Sequence, residues 1–322
     1  MKIQRIYIAT FKKDVYLTKT CVASIRYWYP DIPISLIKDY SWGFFDTSEI
    51  EKKFNVDVFD TEKKNFQWGF SKLELLFQNK KERYLVLDSD IVFAGKVINI
   101  LEEYDEDFIV SSEEEVSVEF LESHYYCPSL LSKIDPEFTP PGYVFNTGQI
   151  VATSNILNRE DFSPFIKWSQ TPSIIYPDVF KLAEQGLLNY ILQKKHSQSE
   201  ITLRRIHFMQ WGKSQKVKNI ELRNLNSSSS CYPFVIHWAG LKRPLYNQMV
   251  NGFILSFFED YYYSKFSFGK FKKIKNLIPR QIYFYLIKLL RALLGLLGKR
   301  SWRIEALLND LMKKKKKWLT RY

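Results

Sequence analysis

The sequence predicts an α/β fold: a mostly parallel sheet flanked by helices, followed by a basic helical tail. Three observations lead there. Through the first 90 residues, short strand-like apolar runs are separated by stretches with helical spacing, and a β-α-β-α-β order builds a parallel sheet covered on both faces. The chain has 322 residues and is 46% hydrophobic, which suits one large domain with a real core. Positive charge is collected at one end. Residues 269–322 hold 16 of the 47 basic residues and only two acids, Glu305 and Asp310, so the tail accounts for the whole net charge of +12. The expected division is a body, 1–268, and a tail, 269–322.

Residues 3–9 alternate as a first strand. Asp14 to Trp28 reads as a helix: Asp14 is an N-cap type, Leu17, Cys21, Ile25 and Trp28 share a face, and Pro30 and Pro33 follow its end. A strand Ile34–Ile37 leads into Lys38 and Asp39. Glu49–Phe54 reads as a short helix, Val56–Phe59 as a strand, and Gly69–Asn79 as a helix with Leu73, Leu76 and Phe77 inward. Tyr84–Leu87 is the next strand. Further on, Asp107–Ser111 reads as a strand, Glu113–Glu115 as a solvated loop, and Thr139–Gly142 as a turn. Gln149–Ala152 is a strand, Val179–Lys194 a helix after Pro177 and Asp178, 226–230 a serine loop, and Phe234–Trp238 a short buried strand.

Cys21, Cys127 and Cys231 are odd in number and far apart, which excludes zinc-like spacing and a disulfide framework; they read as three buried thiols in a reducing compartment. The apolar run at the N-terminus is too short for a signal peptide or an anchor, so the expected location is cytoplasmic. In the tail, Ile282 to Leu297 is apolar but broken by Lys288 and Arg291, too short and too polar to cross a bilayer. Ile282, Leu286, Leu289, Leu290, Leu293 and Leu297 fall near one helical face. Phe268, Phe271, Trp302, Trp318 and Tyr322 add aromatics, and Lys313–Lys317 form a basic block. This pattern fits a helix lying peripherally in the headgroups of an anionic membrane, with a helical cap on the sheet as the alternative. No nucleic-acid module precedes the lysines, so no nucleic acid is expected.

The chemistry concentrates where the strand from Tyr84 runs into Asp88-Ser89-Asp90. In an extended backbone Asp88 and Asp90 share a face. Neighbouring carboxylates repel and call for a cation, and Mg2+ or Mn2+ bridged to a diphosphate would supply it. That is the chemistry of a metal-dependent nucleotide-sugar transferase. Phosphatases of the haloacid dehalogenase type also place Asp-x-Asp after an apolar strand, but they usually start the chain with it. Three later stretches add to the transferase reading. Phe145-Asn146-Thr147-Gly148 offers an amide for sugar hydroxyls beside a permissive glycine. Glu184-Gln185-Gly186-Leu187-Leu188-Asn189 sets a polar pair on a helix otherwise packed by leucines. His237-Trp238-Ala239-Gly240-Leu241-Lys242-Arg243-Pro244 ends an apolar strand on an imidazole suited to Mn2+ and follows it with two cations for phosphates.

The order Asp-x-Asp, Phe-Asn-x-Gly, acidic-Gln-x-x-Leu-Asn, His-x-x-Gly-x-x-basic-Pro resembles glycosyltransferase family 8, the group of glycogenin and the bacterial lipopolysaccharide galactosyl- and glucosyltransferases. The resemblance spans roughly residues 3–245. It implies a GT-A (Rossmann-like) fold, a UDP-sugar donor, Mn2+ or Mg2+, and a glycan or glycolipid acceptor. It implies metal binding by Asp88, Asp90 and His237, donor contacts from Thr10, Asp39, Lys72, Ser89, Gly240, Lys242 and Arg243, and a sugar pocket with Asn146, Gln185 and Glu184. It further implies retention at the anomeric carbon. Gln185 is a poor nucleophile, so front-face attack guided by the departing phosphate fits better than a covalent intermediate; Glu184 or Asp178 would be the base of an inverting reaction. The chain departs from the family at Gly186, where aspartate is common, at Arg243-Pro244-Leu245 in place of Lys-Pro-Trp, and at Thr10-Phe11-Lys12 after the first strand. A catalytically silent membrane- or RNA-binding protein on the same scaffold is the other reading.

Overall fold

The computed structural model describes residues 1–296 apart from 63–64, 68, 115 and 226–231. The expected serine loop, Cys231, Leu297, Trp302, Lys313–Lys317, Trp318 and Tyr322 lie outside the described residues, as do the side chains of Leu290, Arg291 and Leu293. Twelve strands are described: β1 (Arg5–Phe11), β2 (Ile34–Asp39), β3 (Val56–Phe59), β4 (Arg83–Asp88), β5 (Ile91–Phe93), β6 (Phe108–Glu114), β7 (Tyr143–Thr153), β8 (Ile166–Lys167), β9 (Ser173–Ile174), β10 (Leu203–Arg205), β11 (Met209–Trp211) and β12 (Val235–His237). The main sheet has seven strands in the order β10-β6-β7-β4-β1-β2-β3. Every neighbouring pair is parallel except those that β7 makes with β4 and β6. A second sheet, β11-β12-β5, begins two residues after β4 ends, and β8 with β9 forms a small ribbon.

Period-two alternation sorts β1 and β4 onto the two faces of the main sheet. Ile6, Ile8, Leu85 and Leu87 join one core with Leu17, Cys21 and Ile25. Tyr7, Tyr84 and Val86 join the other with Leu187, Leu188 and Ile191. Six helices matter for the site: α1 (Val15–Trp28), α2 (Ser48–Phe54), α3 (Val118–His124), α4 (Glu184–Ser197), α5 (Phe253–Ser264) and α6 (Gly269–Leu296). The expected inward face of α1 is buried, and the helix packs on α5 and β5.

Several expectations are corrected. Asp14 stands at the N-cap position of α1 but makes no capping hydrogen bond, because its carboxylate is drawn to Lys242. Gly69–Asn79 is only a 3-10 turn, Phe70–Leu75, with Phe77 half-buried. The strand expected at Gln149–Ala152 is longer: β7 takes in Phe145–Gly148 as well, and its eleven residues are all buried. Glu113 and Glu114 belong to β6 and pair with β7 across a register shift at Val110 and Ser112. The helix expected from Val179 starts at Glu184, because Leu182 and Ala183 take left-handed φ of 47° and 53°. Cys127 is half-buried rather than buried and lies 3.3 Å from the Ser129 hydroxyl.

The helix α6 is seated on the body by charge. Lys272 pairs with Glu49 at 2.8 Å, Arg280 with Glu259 at 2.7 Å, and Lys273 with Asp260 at 2.7 Å. Its opposite side exposes Phe271, Ile274, Ile278, Ile282, Tyr285 and Leu289, at spacings of three and four residues. Among the described residues no helix is long and apolar enough to cross a membrane.

Candidate active site

The three expected metal ligands meet because of strand pairing. Asp88 ends β4, a two-residue turn follows, and β5 then pairs antiparallel with β12 in a register that sets Ile91 opposite His237. The Trp238 amide donates to the Asp90 carbonyl at 3.1 Å and closes the junction. The two aspartates therefore converge through a turn rather than along one extended strand. Asp88 stays 33% exposed, whereas the side chains of Asp90 and His237 are 2% and 1% exposed. Ligand atoms of the three residues all lie within 4.8 Å of one another. His237 Nε2 is 3.3 Å from Asp90 Oδ1 and 3.9 Å from Asp88 Oδ2, and the ring stacks on Trp211 at 5.6 Å.

These residues fit a divalent cation. Asp90 Oδ1 is buried and has no hydrogen-bond partner, since its approach to His237 lacks hydrogen-bond geometry. A buried, unsatisfied carboxylate oxygen is costly unless something answers it. Two hard carboxylates and one imidazole form a donor set for Mn2+ or Mg2+. Burial alone would push the Asp90 carboxyl up; Lys242 and His237 outweigh it and hold the group well below the usual carboxylate range.

Two lysines brace the centre. Lys72 is buried, its Nζ 3.0 Å from Asp88 Oδ1, from Glu184 Oε1 and from the Thr147 carbonyl. Burial opposes its charge, but Asp88 and Glu184 prevail and raise its pKa. Lys242 lies 2.6 Å from Asp14 Oδ2 and 3.4 Å from Asp90 Oδ2. Burial again opposes the charge, and Asp90 and Asp14 raise its pKa above the ordinary lysine value. Burial pushes the carboxyls of Asp14 and Glu184 up, and their lysines offset this only in part.

Beside the centre, Asn146 Nδ2 donates to Gln185 Oε1 at 2.9 Å, and Gln185 Nε2 donates to the His124 carbonyl at 3.0 Å. Asn189 clamps β7 to α4, accepting from the Phe145 amide and donating to the Phe145 and Gln185 carbonyls. Gly148 is required by close approach: a Cβ there would stand 2.3 Å from His237 Cε1 and 2.9 Å from Asp88 Oδ2. Gly186 has a similar cause, since a Cβ would stand 1.9 Å from the Tyr125 carbonyl oxygen. That contact accounts for glycine where the family often carries aspartate.

All of this borders one cleft of about 1280 Å³. Asp88, Ser89, Lys72, Asn146, Glu184, Gln185, His237, Gly240 and Lys242 line its middle, and Thr10 and Asp39 line the end over β1 and β2. The Thr10 hydroxyl is engaged inward with Thr18, and Asp39 Oδ1 accepts from the Ser41 and Phe66 amides. Asp90 sits beneath the floor. Arg243 and Asp178 are exposed and are not among the lining side chains.

Sequence reasoning missed Asp14, Trp211 and Glu113. Asp14 looked like a cap. Trp211 lies on β11, a strand too short to announce itself. Glu113 sits in an acidic run that reads as solvated, yet it lines the cleft; burial pushes its carboxyl up, and Oε1 has no hydrogen-bond partner.

No family model and no curated protein matches the chain. Among solved structures, the bifunctional glycosyltransferase WbbM in its apo form aligns with a TM-score of 0.55 at 12% identity, over 85% of this chain and 52% of its own. The chain thus spans about half the length of that protein. The galactosyltransferase LgtC, solved with donor and acceptor sugar analogues, aligns with a TM-score of 0.51 at 14% identity, over 81% of this chain and 95% of its own. At such identities the likeness is one of fold. The fold is the one that the motif order implied: the chain has a GT-A fold, like that of these two structures.

Proposed function

We propose that the chain is a metal-dependent glycosyltransferase that moves a hexose from a UDP-sugar to a glycan or glycolipid acceptor, with retention, in the synthesis of a surface polysaccharide such as lipopolysaccharide or capsule. The observation that carries this reading is the convergence of Asp88, Asp90 and His237 at the floor of one cleft, which Thr10 and Asp39 line over β1 and β2 and which the Asn146–Gln185 pair also lines. Asp88, Asp90 and His237 would hold Mn2+ or Mg2+, which when bound supplies Lewis-acid stabilisation of the leaving diphosphate. Lys242, with Arg243 from the rim, directs positive charge at the same phosphate oxygens. Lys72 touches the donor and keeps Asp88 oriented. Thr10, Asp39, Ser89 and Gly240 line the donor's path.

Asn146 and Gln185 fix each other's amides, so their remaining donor and acceptor sites present a set orientation to the sugar hydroxyls. Glu184 is bonded to Lys72, and Asp178 lies on the surface. Both facts weigh against a base for inversion and favour front-face attack. With Mn2+ present, UDP-hexoses should raise Tm and be slowly hydrolysed, and chelation should abolish both effects. A larger Tm rise with a sugar on another base overturns the UDP assignment. NMR of the anomeric proton in the first-formed product should show an α-linkage from a UDP-α-sugar; a β-linkage overturns retention.

The segment from 269 is, in this reading, the membrane-associating part, holding the enzyme at the cytoplasmic face. Its support is the exposed apolar stripe of α6 with exposed Lys270, Lys275 and Lys288 beside it, a pattern complementary to anionic lipid. The full chain should co-sediment with anionic vesicles, and a chain ending near Phe268 should not; equal binding by both overturns this part.

A further inference from the structure

The main sheet sets polar residues of the cleft in a row. Along the edge where its parallel strands end, Asp39 closes β2, Thr10 nearly closes β1 and Asp88 closes β4; Asn146 follows from the start of β7, and Glu113 comes last, at the end of β6. In the transferase reading, on which this inference rests, the donor's path runs from β2 to β4 and the transferred sugar lies at Asn146 and Gln185. The acceptor then has the far end, over β6. That end has a lining of its own. Phe120 and His124 stack with ring centroids 4.6 Å apart, Trp211 and Lys213 border it from the end of β11, and Leu182 is 50% exposed. Gln185 Nε2 donates to the His124 carbonyl, which ties this wall to the sugar pocket. Ring surfaces with a few polar groups set among them are what a bound organic molecule needs for both area and orientation.

Glu113 is half-buried at this end, just past the register shift in β6, a feature that re-aims side chains. Burial pushes its carboxyl up, and Trp211, His124 and Lys213 offset this only in part. Its Oε1 is buried with no hydrogen-bond partner, whereas both oxygens of the adjoining Glu114 accept from Arg205. A carboxylate oxygen in that state is costly until a donor answers it. Rotation about the last side-chain bond is soft enough to offer either oxygen to the cleft. We propose that Glu113 selects the acceptor: its carboxylate accepts a hydrogen bond from a hydroxyl of a neutral hexopyranose, the sugar that receives the transferred one, seated against Phe120, His124 and Trp211. An acidic sugar is repelled by Glu113, and Lys213 already supplies the positive charge that an amino sugar would bring.

The full chain, with Mn2+ and UDP, is titrated by calorimetry with the methyl α- and β-glycosides of glucose, galactose and mannose. The tightest binder is then replaced by each of its monodeoxy analogues. Wild type and Glu114→Gln should bind the chosen glycoside alike, and Glu113→Ala about tenfold more weakly. Glu113→Gln keeps the shape and an acceptor oxygen and should fall between them. One deoxy analogue should bind wild type about tenfold more weakly than its parent, and Glu113→Ala should not distinguish the two, because the partner of that hydroxyl is already gone. Without ligands, Glu113→Gln should keep the wild-type Tm, which a residue serving only the fold would not allow. Equal binding of the glycoside by wild type and Glu113→Ala overturns the role, and so does a deoxy penalty that persists in Glu113→Ala. If no glycoside binds wild type, the neutral hexopyranose is overturned. If UDP with Mn2+ gives wild type no rise in Tm, the nucleotide-sugar reading fails on its own account, while the glycoside titrations, repeated without UDP, still decide Glu113.

Discussion

Two clusters of charge organise this protein, and they are finished differently. At the seam with α6, both oxygens of Glu49 are answered, one by Lys19 and the Tyr262 hydroxyl and the other by Lys272. Both oxygens of Glu259 are answered too, by Arg280 and Lys273. At the cleft, Asp90 and His237 are far more deeply buried, yet Asp90 Oδ1 is left with no hydrogen-bond partner. The carboxylates of the seam are answered on both oxygens, whereas that of the cleft is not. Closure serves a joint, whereas an open donor set in a low-dielectric place is where a ligand gains most.

The comparison can be broken most forcefully at Asp90. Asp90→Asn keeps the shape and removes the charge, and transfer should fall about a thousandfold, as it does when a main electrostatic stabiliser is lost. Calorimetry should show Mn2+ binding lost while circular dichroism stays unchanged. Near-normal turnover would mean that the cluster is structural. Gly148→Ala tests the same centre by shape. Its methyl group would push on His237 and Asp88, and a shift of about 1 Å there should cost about a hundredfold in kcat/KM, while overpacking a buried strand should lower stability to urea by about 1–3 kcal/mol. The smallest effect on activity is expected at the seam. Glu49→Gln should leave kcat within about twofold and cost on the order of 1 kcal/mol of stability near pH 7. Burial alone would raise the Glu49 carboxyl, but Lys272 and Lys19 hold it down from an ordinary value of 4.5 to about 2. The unfolded chain therefore takes up the proton first as pH falls. The stabilisation is complete above about 4.5 and is lost on the way down to about 2. Urea midpoints measured across that window should fall steeply for wild type and more gently for the variant.

Much of this was legible where the sequence repeats itself locally. The alternation of β1 and β4, the face of α1 and the polar residues ending apolar strands gave the sheet and the three metal-ligand candidates. What escaped was decided by distant partners. Asp14 turns from its own helix because Lys242, 228 residues away, is a stronger attraction than an amide. Glu113 looks soluble among its acidic neighbours, but pairing with β7 makes it strand. The start of α4 was misjudged because two residues without glycine's freedom adopt left-handed backbone there.

The ammonium of Lys242, seated 2.6 Å from Asp14 and 3.4 Å from Asp90, is a resident single positive charge at the edge of the metal-ligand cluster. Sodium or potassium would bring no more charge than the side chain already supplies, and so would gain nothing by entering. On the proposed reading, a cation held by Asp88 and Asp90 would have to bring more charge than this side chain already supplies, which favours a divalent ion over a monovalent one.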